Sequence, residues 1–239
     1  MWALTYNKNI MAVNVNTVYQ RVLAITNKEQ RGYLTPQEFN TIANQAQLDI
    51  FEQYFYDLNQ FLRVPGNQTD YSDMVEILEE KISAFEKTGI SVTGGTTLPT
   101  DLYRLGTVLN NCPDCRDIEQ ITQKEWLYIR RSPLTKPTNT YPIYIRDTAG
   151  IKVYGTDNTQ ITSGIYANYV KVPATAAWAA NSTTGLYNSA TSTNFELHES
   201  EEPELVIKIL ALAGIVIKDN SIYAMASGED TKSVTQEKA

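Results

Sequence analysis

Hydrophobic and polar positions divide the chain into three stretches of different period. In the first, Val15, Val18, Tyr19, Val22 and Leu23 recur at helical spacing. Gly32 follows and reads as a stop. Thr35-Pro36-Gln37-Glu38 combines an N-cap residue, a proline suited to the first helical position and a glutamate able to close a capping box. The apolar face behind it runs from Phe39 through Ile42, Ala46, Ile50, Tyr54 and Leu58 to Leu62, and Pro65-Gly66-Asn67 ends it. A third helix is expected from about residues 70–73, with Met74, Val75, Leu78, Ile82 and Phe85 on its face and Gly89 as its stop.

The middle stretch alternates with period two and is rich in β-branched residues. Short strands are expected at 90–92, 103–109, 118–121, 141–145, 151–154 and 165–172. Asp147-Thr148-Ala149-Gly150 predicts a hairpin turn. Thr122-Gln123-Lys124-Glu125 is a second capping box, and it predicts one short helix through Trp126, Leu127 and Tyr128. Residues 174–194 read as a long loop or a weak hairpin, and 195–198 as a last strand. Glu201-Glu202-Pro203-Glu204 places acids where a helix dipole favours them. The helix it opens, to about residue 225, is apolar around most of its circumference and so predicts burial. The polar tail from Ser227 reads as frayed or loosely helical. The fold class expected is α+β. A helical domain of residues 1–88 and 201–239 would carry a β-rich domain of residues 89–200.

At 42% apolar and 20% charged, the 239 residues hold enough apolar material for a core, which argues against wholesale disorder. The net charge of −7 disfavours binding nucleic acid through a broad basic surface. The charge is unevenly spread. Residues 35–90 hold three basic and ten acidic side chains, residues 118–171 seven basic and four acidic, residues 172–195 none, and residues 196–239 four basic and nine acidic. Acidic segments therefore flank a mildly basic middle. The first residues lack a cationic stretch followed by an apolar one, and the longest run of apolar residues and glycine is Ile209 to Ile217. A soluble protein made in a cytoplasm is the expectation.

Few side chains offer chemistry. Cys112-Pro113-Asp114-Cys115 has the spacing of a redox dithiol or half a zinc site. It follows a loop-forming Asn-Asn pair rather than opening a helix. His198 is the chain's one histidine, so a complete Cys/His zinc site cannot be built. Two loop cysteines are the ordinary reading, and a CxxC-dependent thiol redox enzyme is the rival one. His198 lies among Glu196, Glu199 and Glu201, as a general base with carboxylate partners or, more simply, as a strand-end residue. Glu76, Glu79, Glu80 and Glu86 could attract a divalent cation but read first as a solvated helix face. The richest set interleaves Arg130, Arg131, Lys136, Arg146, Lys152 and Lys171 with Tyr128, Tyr141, Tyr144, Tyr154, Tyr166 and Tyr169. Such a surface can stack and neutralise nucleic acid or form a protein interface. Interface residues are expected at Tyr128, Arg130, Arg131, Tyr144, Arg146, Trp178 and Tyr187. No catalytic residue, metal ligand or cofactor is expected.

Three segments carry a resemblance: Leu98-Pro99-Thr100-Asp101-Leu102-Tyr103-Arg104, Lys136-Pro137-Thr138 with Tyr141-Pro142-Ile143-Tyr144, and Tyr169-Val170-Lys171-Val172-Pro173. With the order of elements around them, they resemble the neck proteins of tailed bacteriophages. These are head-to-tail connector, adaptor or ring proteins, including tail-tubular-protein-A-like chains and crAss-like phage ring proteins. The resemblance implies a non-enzymatic virion protein. It implies a homo-oligomeric ring, usually of twelve copies, between a portal protein and a tail tube, nozzle or second ring. DNA would pass through its lumen without sequence-specific binding, and no membrane would be involved. It also implies a helical domain joined to a β-sandwich or barrel-like one. Acidic groups toward the lumen would let DNA slide, and the neutral 174–194 stretch could reach a neighbouring copy. A tail or fibre-attachment module further from the portal is the structural alternative.

Overall fold

Thr35 sets the start of the longest helix by the reciprocal bonding the sequence predicts. Its backbone N–H donates to Glu38 Oε2 at 3.0 Å, and Glu38 N–H donates back to Thr35 Oγ1 at 3.3 Å. In this computed structural model, which describes residues 12–27, 34–62, 74–110, 116–181, 183–217 and 220–237, the first three helices are α1 (Val15–Asn27), α2 (Pro36–Phe61) and α3 (Met74–Ser83). Strands β1 (Glu86–Ser91), β2 (Leu102–Asn110), β3 (Arg116–Asp117) and β4 (Glu119–Gln120) follow. The short helix α4 (Gln123–Ile129) precedes β5 (Ile143–Asp147), β6 (Gly150–Tyr154) and β7 (Ile165–Lys171). Helices α5 (Glu202–Ile217) and α6 (Asn220–Glu237) complete the order. The architecture is mixed, with six helices and two sheets among the described residues.

The chain falls into two units, Met1–Ala84 with Pro173–Ala239, and Phe85–Val172. The expected helical and β-rich segments met near residues 88 and 200. Residues 173–200 instead belong with the helices.

In the first unit α5 packs against α1, α2 and α6, and α2 against α3. Leu205, Ile209 and Ala213, spaced by four, have no exposed surface. A fully buried leucine or isoleucine contributes about 1.5–3 kcal/mol, so this stripe is a principal source of the unit's stability. The expected single helix to residue 225 is two helices in the structure, and the polar tail is helical to Glu237. Phe195 and Leu197 are buried, but the expected strand there is reduced to a bridge between Ala12 and His198.

In the second unit one sheet has the antiparallel order β1-β7-β2-β3, and the other the order β4-β5-β6, with β4 parallel to β5. The expected strand at 118–121 is split. Ile118, buried and donating its N–H to Val108 O at 2.7 Å, is where the chain leaves one sheet for the other. One apolar cluster takes Val108, Ile165 and Ala167 from the first sheet and Tyr144, Ile151 and Val153 from the second. The expected third helix, read to Gly89, ends at Ser83. Gly89 lies inside β1 at φ +67°, where the register with β7 shifts between Lys87 and Ile90. The signal read as a helix stop is that of a β-bulge.

Candidate functional site

Helix α4 and the loop behind it form the most exposed apolar and basic surface of the second unit. The helix begins at the second capping box, with Thr122 N–H donating to Glu125 Oε2 at 2.8 Å and Glu125 N–H to Thr122 Oγ1 at 3.3 Å. The bond that carboxylate accepts from the Thr122 backbone, and after it one from the Thr122 hydroxyl at 2.9 Å, hold the Glu125 carboxyl below the usual carboxylate range. Trp126 turns inward and stacks on Tyr154, ring centroids 4.2 Å apart. With Ile129 it covers Ile121, Ile143 and Ile145. That orientation leaves Leu127 and Tyr128 facing water, 48% and 68% exposed. Arg130 and Arg131, which close the helix, are exposed as well.

The loop from Ser132 to Pro142 is pinned at its far end. Asn139 N–H donates to Thr156 Oγ1 at 3.1 Å, and Thr156 N–H returns a bond to Asn139 Oδ1 at 3.0 Å. Asn110 Nδ2 donates to Asn139 O at 2.9 Å, and Pro137 is buried. Against that anchored background Leu134 is 96% exposed and Tyr141 71%. The Arg116 guanidinium sits 5.2 Å from the Tyr141 ring centroid, a cation–π distance. Bare leucine and tyrosine on a tethered loop, beside cations, have the composition of a contact surface.

The predicted interface residues separate into two groups. Tyr128, Arg130, Arg131 and Arg146 are exposed in the second unit. Tyr144 is buried there, its hydroxyl donating to Gln120 Oε1 at 3.1 Å, and burial pushes that hydroxyl's pKa up. Trp178 is buried in the first unit, 4.5 Å from the Tyr19 ring, with Nε1 donating to Asn16 Oδ1 at 3.1 Å. Tyr187 lies half-buried 6.0 Å from Trp178. Tyr144 and Trp178 are thus core residues of this chain rather than surface ones.

Other predicted candidates take structural places. Cys112 and Cys115 lie outside the described residues. His198 is exposed and caps a short 3-10 turn, its Nδ1 accepting from Ser200 N–H at 3.2 Å. Glu76, Glu79 and Glu80 are exposed on α3, whereas Glu86 is on β1. Among the described residues no three Asp, Glu, His or Cys side chains are grouped to hold a metal ion. No helix among them is long and apolar enough to cross a membrane.

Two polar devices escaped the sequence reading. Asn40, Asn44 and Gln47 interrupt the apolar face of α2 at successive turns and hold the backbone of residues 174–178. Asn40 bonds both Trp178 N–H and Trp178 O, at 2.8 and 3.1 Å. Asn44 does the same for Ala176 at 2.8 and 2.9 Å, and Gln47 Nε2 donates to Ala174 O at 2.9 Å. The start of the neutral stretch, residues 174–178, is therefore held against its own helix, which counts against that part reaching a neighbour. The second device is in the other unit, where Asp101 accepts from Lys87 Nζ at 2.6 Å and from Tyr169 Oη at 2.9 Å. The only advance signal for the first was its i, i+4, i+7 spacing of carboxamides.

No protein-family model matches the chain, and no curated protein is significantly similar to it in sequence.

Proposed function

We propose that this chain is a structural, non-enzymatic protein of a tailed-bacteriophage neck. It would form a ring of about twelve copies between the portal and the tail, through which DNA passes. The finer architecture belonging to this reading is a helical bundle with a β-sandwich-like domain inserted in it. The reading is supported by the segment resemblances around Asp101, Lys136 and Tyr169. The observation that carries it is the α4 surface, where a tethered loop displays Leu134 and Tyr141 beside exposed Arg130 and Arg131. Assembly into a ring requires such apolar surface to be covered by another subunit.

Immunogold labelling of particles from the source lysate tests this. Label at the head–tail junction is the expected result. Label at the far end of the tail would transfer the chain to the fibre-attachment class, and unlabelled particles would contradict both structural readings.

A further inference from the structure

The α4 surface and the outer face of α3 have opposite composition. From Trp126 to Pro142 the chain holds three cations, Arg130, Arg131 and Lys136, and no acid. All three are exposed, as are the apolar Leu127, Tyr128 and Leu134 among them. On α3, Glu76, Glu79 and Glu80 are exposed around Ile77, which is itself 37% exposed. The α3 lysine, Lys81, is turned inward to Glu201, 2.6 Å away, and neutralises none of them. Among the described residues none of the three glutamates forms a salt bridge, nor do the three cations. Apart from Glu125 at the start of α4, whose carboxylate is bonded back to Thr122, each face thus carries charge of one sign around an apolar centre. Rim charges of opposite sign steer encounter and set register, while the apolar centre supplies contact area.

We infer that the outer face of α3 in one copy docks on the α4 surface of a second copy, Glu76, Glu79 and Glu80 lying against Arg130, Arg131 and Lys136. Each such contact leaves one copy's α4 surface and the other copy's α3 face open, so on the neck reading it repeats head to tail into a ring or an open filament. A second copy suits the surface better than nucleic acid does. Phosphates would answer the cations but leave Leu127 and Leu134 uncovered. The inference rests on the neck reading in requiring like copies to meet through two different faces, and it specifies which faces these are.

Charge exchange tests it. One variant carries E76K, E79K and E80K, the other R130E, R131E and K136E. Each is examined by mass photometry and sedimentation velocity, alone and in equimolar mixture, beside the unaltered chain. All six side chains are exposed, so circular dichroism is expected to match the parent. The parent is expected to associate in steps of one copy, and each variant alone to remain monomeric because its two faces now share a sign. The mixture is expected to recover association, since every α3 face again meets an α4 face of opposite sign. Variants that associate as the parent does, or a mixture that stays monomeric, overturn this pairing while leaving particle membership intact. A parent that stays monomeric across the concentration range also overturns it. Absence of the chain from particles overturns the neck reading itself.

Discussion

Asn44 holds Ala176 as a neighbouring strand would. Its carboxamide oxygen accepts the Ala176 N–H at 2.8 Å, and its nitrogen donates to the Ala176 carbonyl at 2.9 Å. Ala176 is buried, so both of its backbone groups need partners from within the protein. Asn40 repeats the arrangement at Trp178 one turn earlier on α2. A helix thereby presents the hydrogen-bonding edge of a sheet to a segment that forms only isolated bridges of its own, Ala177 with Thr193 and Ala180 with Tyr187.

Replacing Asn44 by Ala strands one buried donor and one buried acceptor. An unsatisfied buried group costs about 1–3 kcal/mol, so a loss of roughly 2–4 kcal/mol is expected in urea denaturation. Amide exchange at Ala176 is expected to accelerate with it. Unchanged protection at that amide would show that Asn44 does not hold the segment.

Lys81 and Glu201 form a 2.6 Å ion pair in which the carboxylate side chain is only 6% exposed. Lys81→Met leaves that charge without its cation and is expected to cost about 3–5 kcal/mol. Adding Glu201→Leu is expected to recover most of the loss. A thermal-denaturation double-mutant cycle with purely additive effects would refute the coupling.

The Lys87–Asp101–Tyr169 cluster makes stability depend on pH at both ends of the range. The bond from Lys87, first among its causes, lowers the Asp101 pKa. That stabilisation is present above the unfolded carboxylate pKa and is lost as pH falls through the folded one. The bond to Asp101 raises the Lys87 pKa, and burial first, then the same carboxylate, raises that of Tyr169. Their contributions are present below the unfolded values and are lost as pH rises through the folded ones. Asp101→Asn is expected to flatten the acid limb and weaken the alkaline limb of a stability–pH curve. A curve of unchanged shape would exclude the cluster as its source.

Gly150 closes the β5–β6 hairpin at φ +131°, and a Cβ there would overlap the Thr96 carbonyl oxygen. That oxygen already accepts the Ile151 N–H at 3.0 Å. Gly150→Ala therefore combines backbone strain with a clash and is expected to destabilise the chain by at least about 2 kcal/mol. A thermal midpoint within a degree of the parent's would contradict this.

What the sequence made legible follows from how local each signal is. Both capping boxes, at Thr35 and Thr122, form as read because every atom involved lies within four residues. The 147–150 hairpin forms for the same reason, Asp147 pairing with Gly150. Gly89 was misread because a glycine's left-handed φ serves a β-bulge as well as a helix stop, and pairing with β7 decides between them. Tyr144 and Trp178 were read as surface residues because aromatic composition does not reveal which side of a strand or loop meets the core. Tyr128, Arg130 and Arg131, read as interface residues, are exposed because inward-facing Trp126 and Ile129 fix the orientation of so short a helix. Leu134 could not be singled out: complete exposure of a leucine depends on how distant Asn110 and Thr156 tether its loop.

The neck reading stands or falls on whether the chain belongs to a particle. Gradient sedimentation of a source lysate, with quantitative mass spectrometry across the fractions, measures this directly. The account predicts multiple copies per particle, co-sedimenting with DNA-filled capsids. Presence only in the soluble fractions would contradict it and turn attention to the thiols of Cys112 and Cys115.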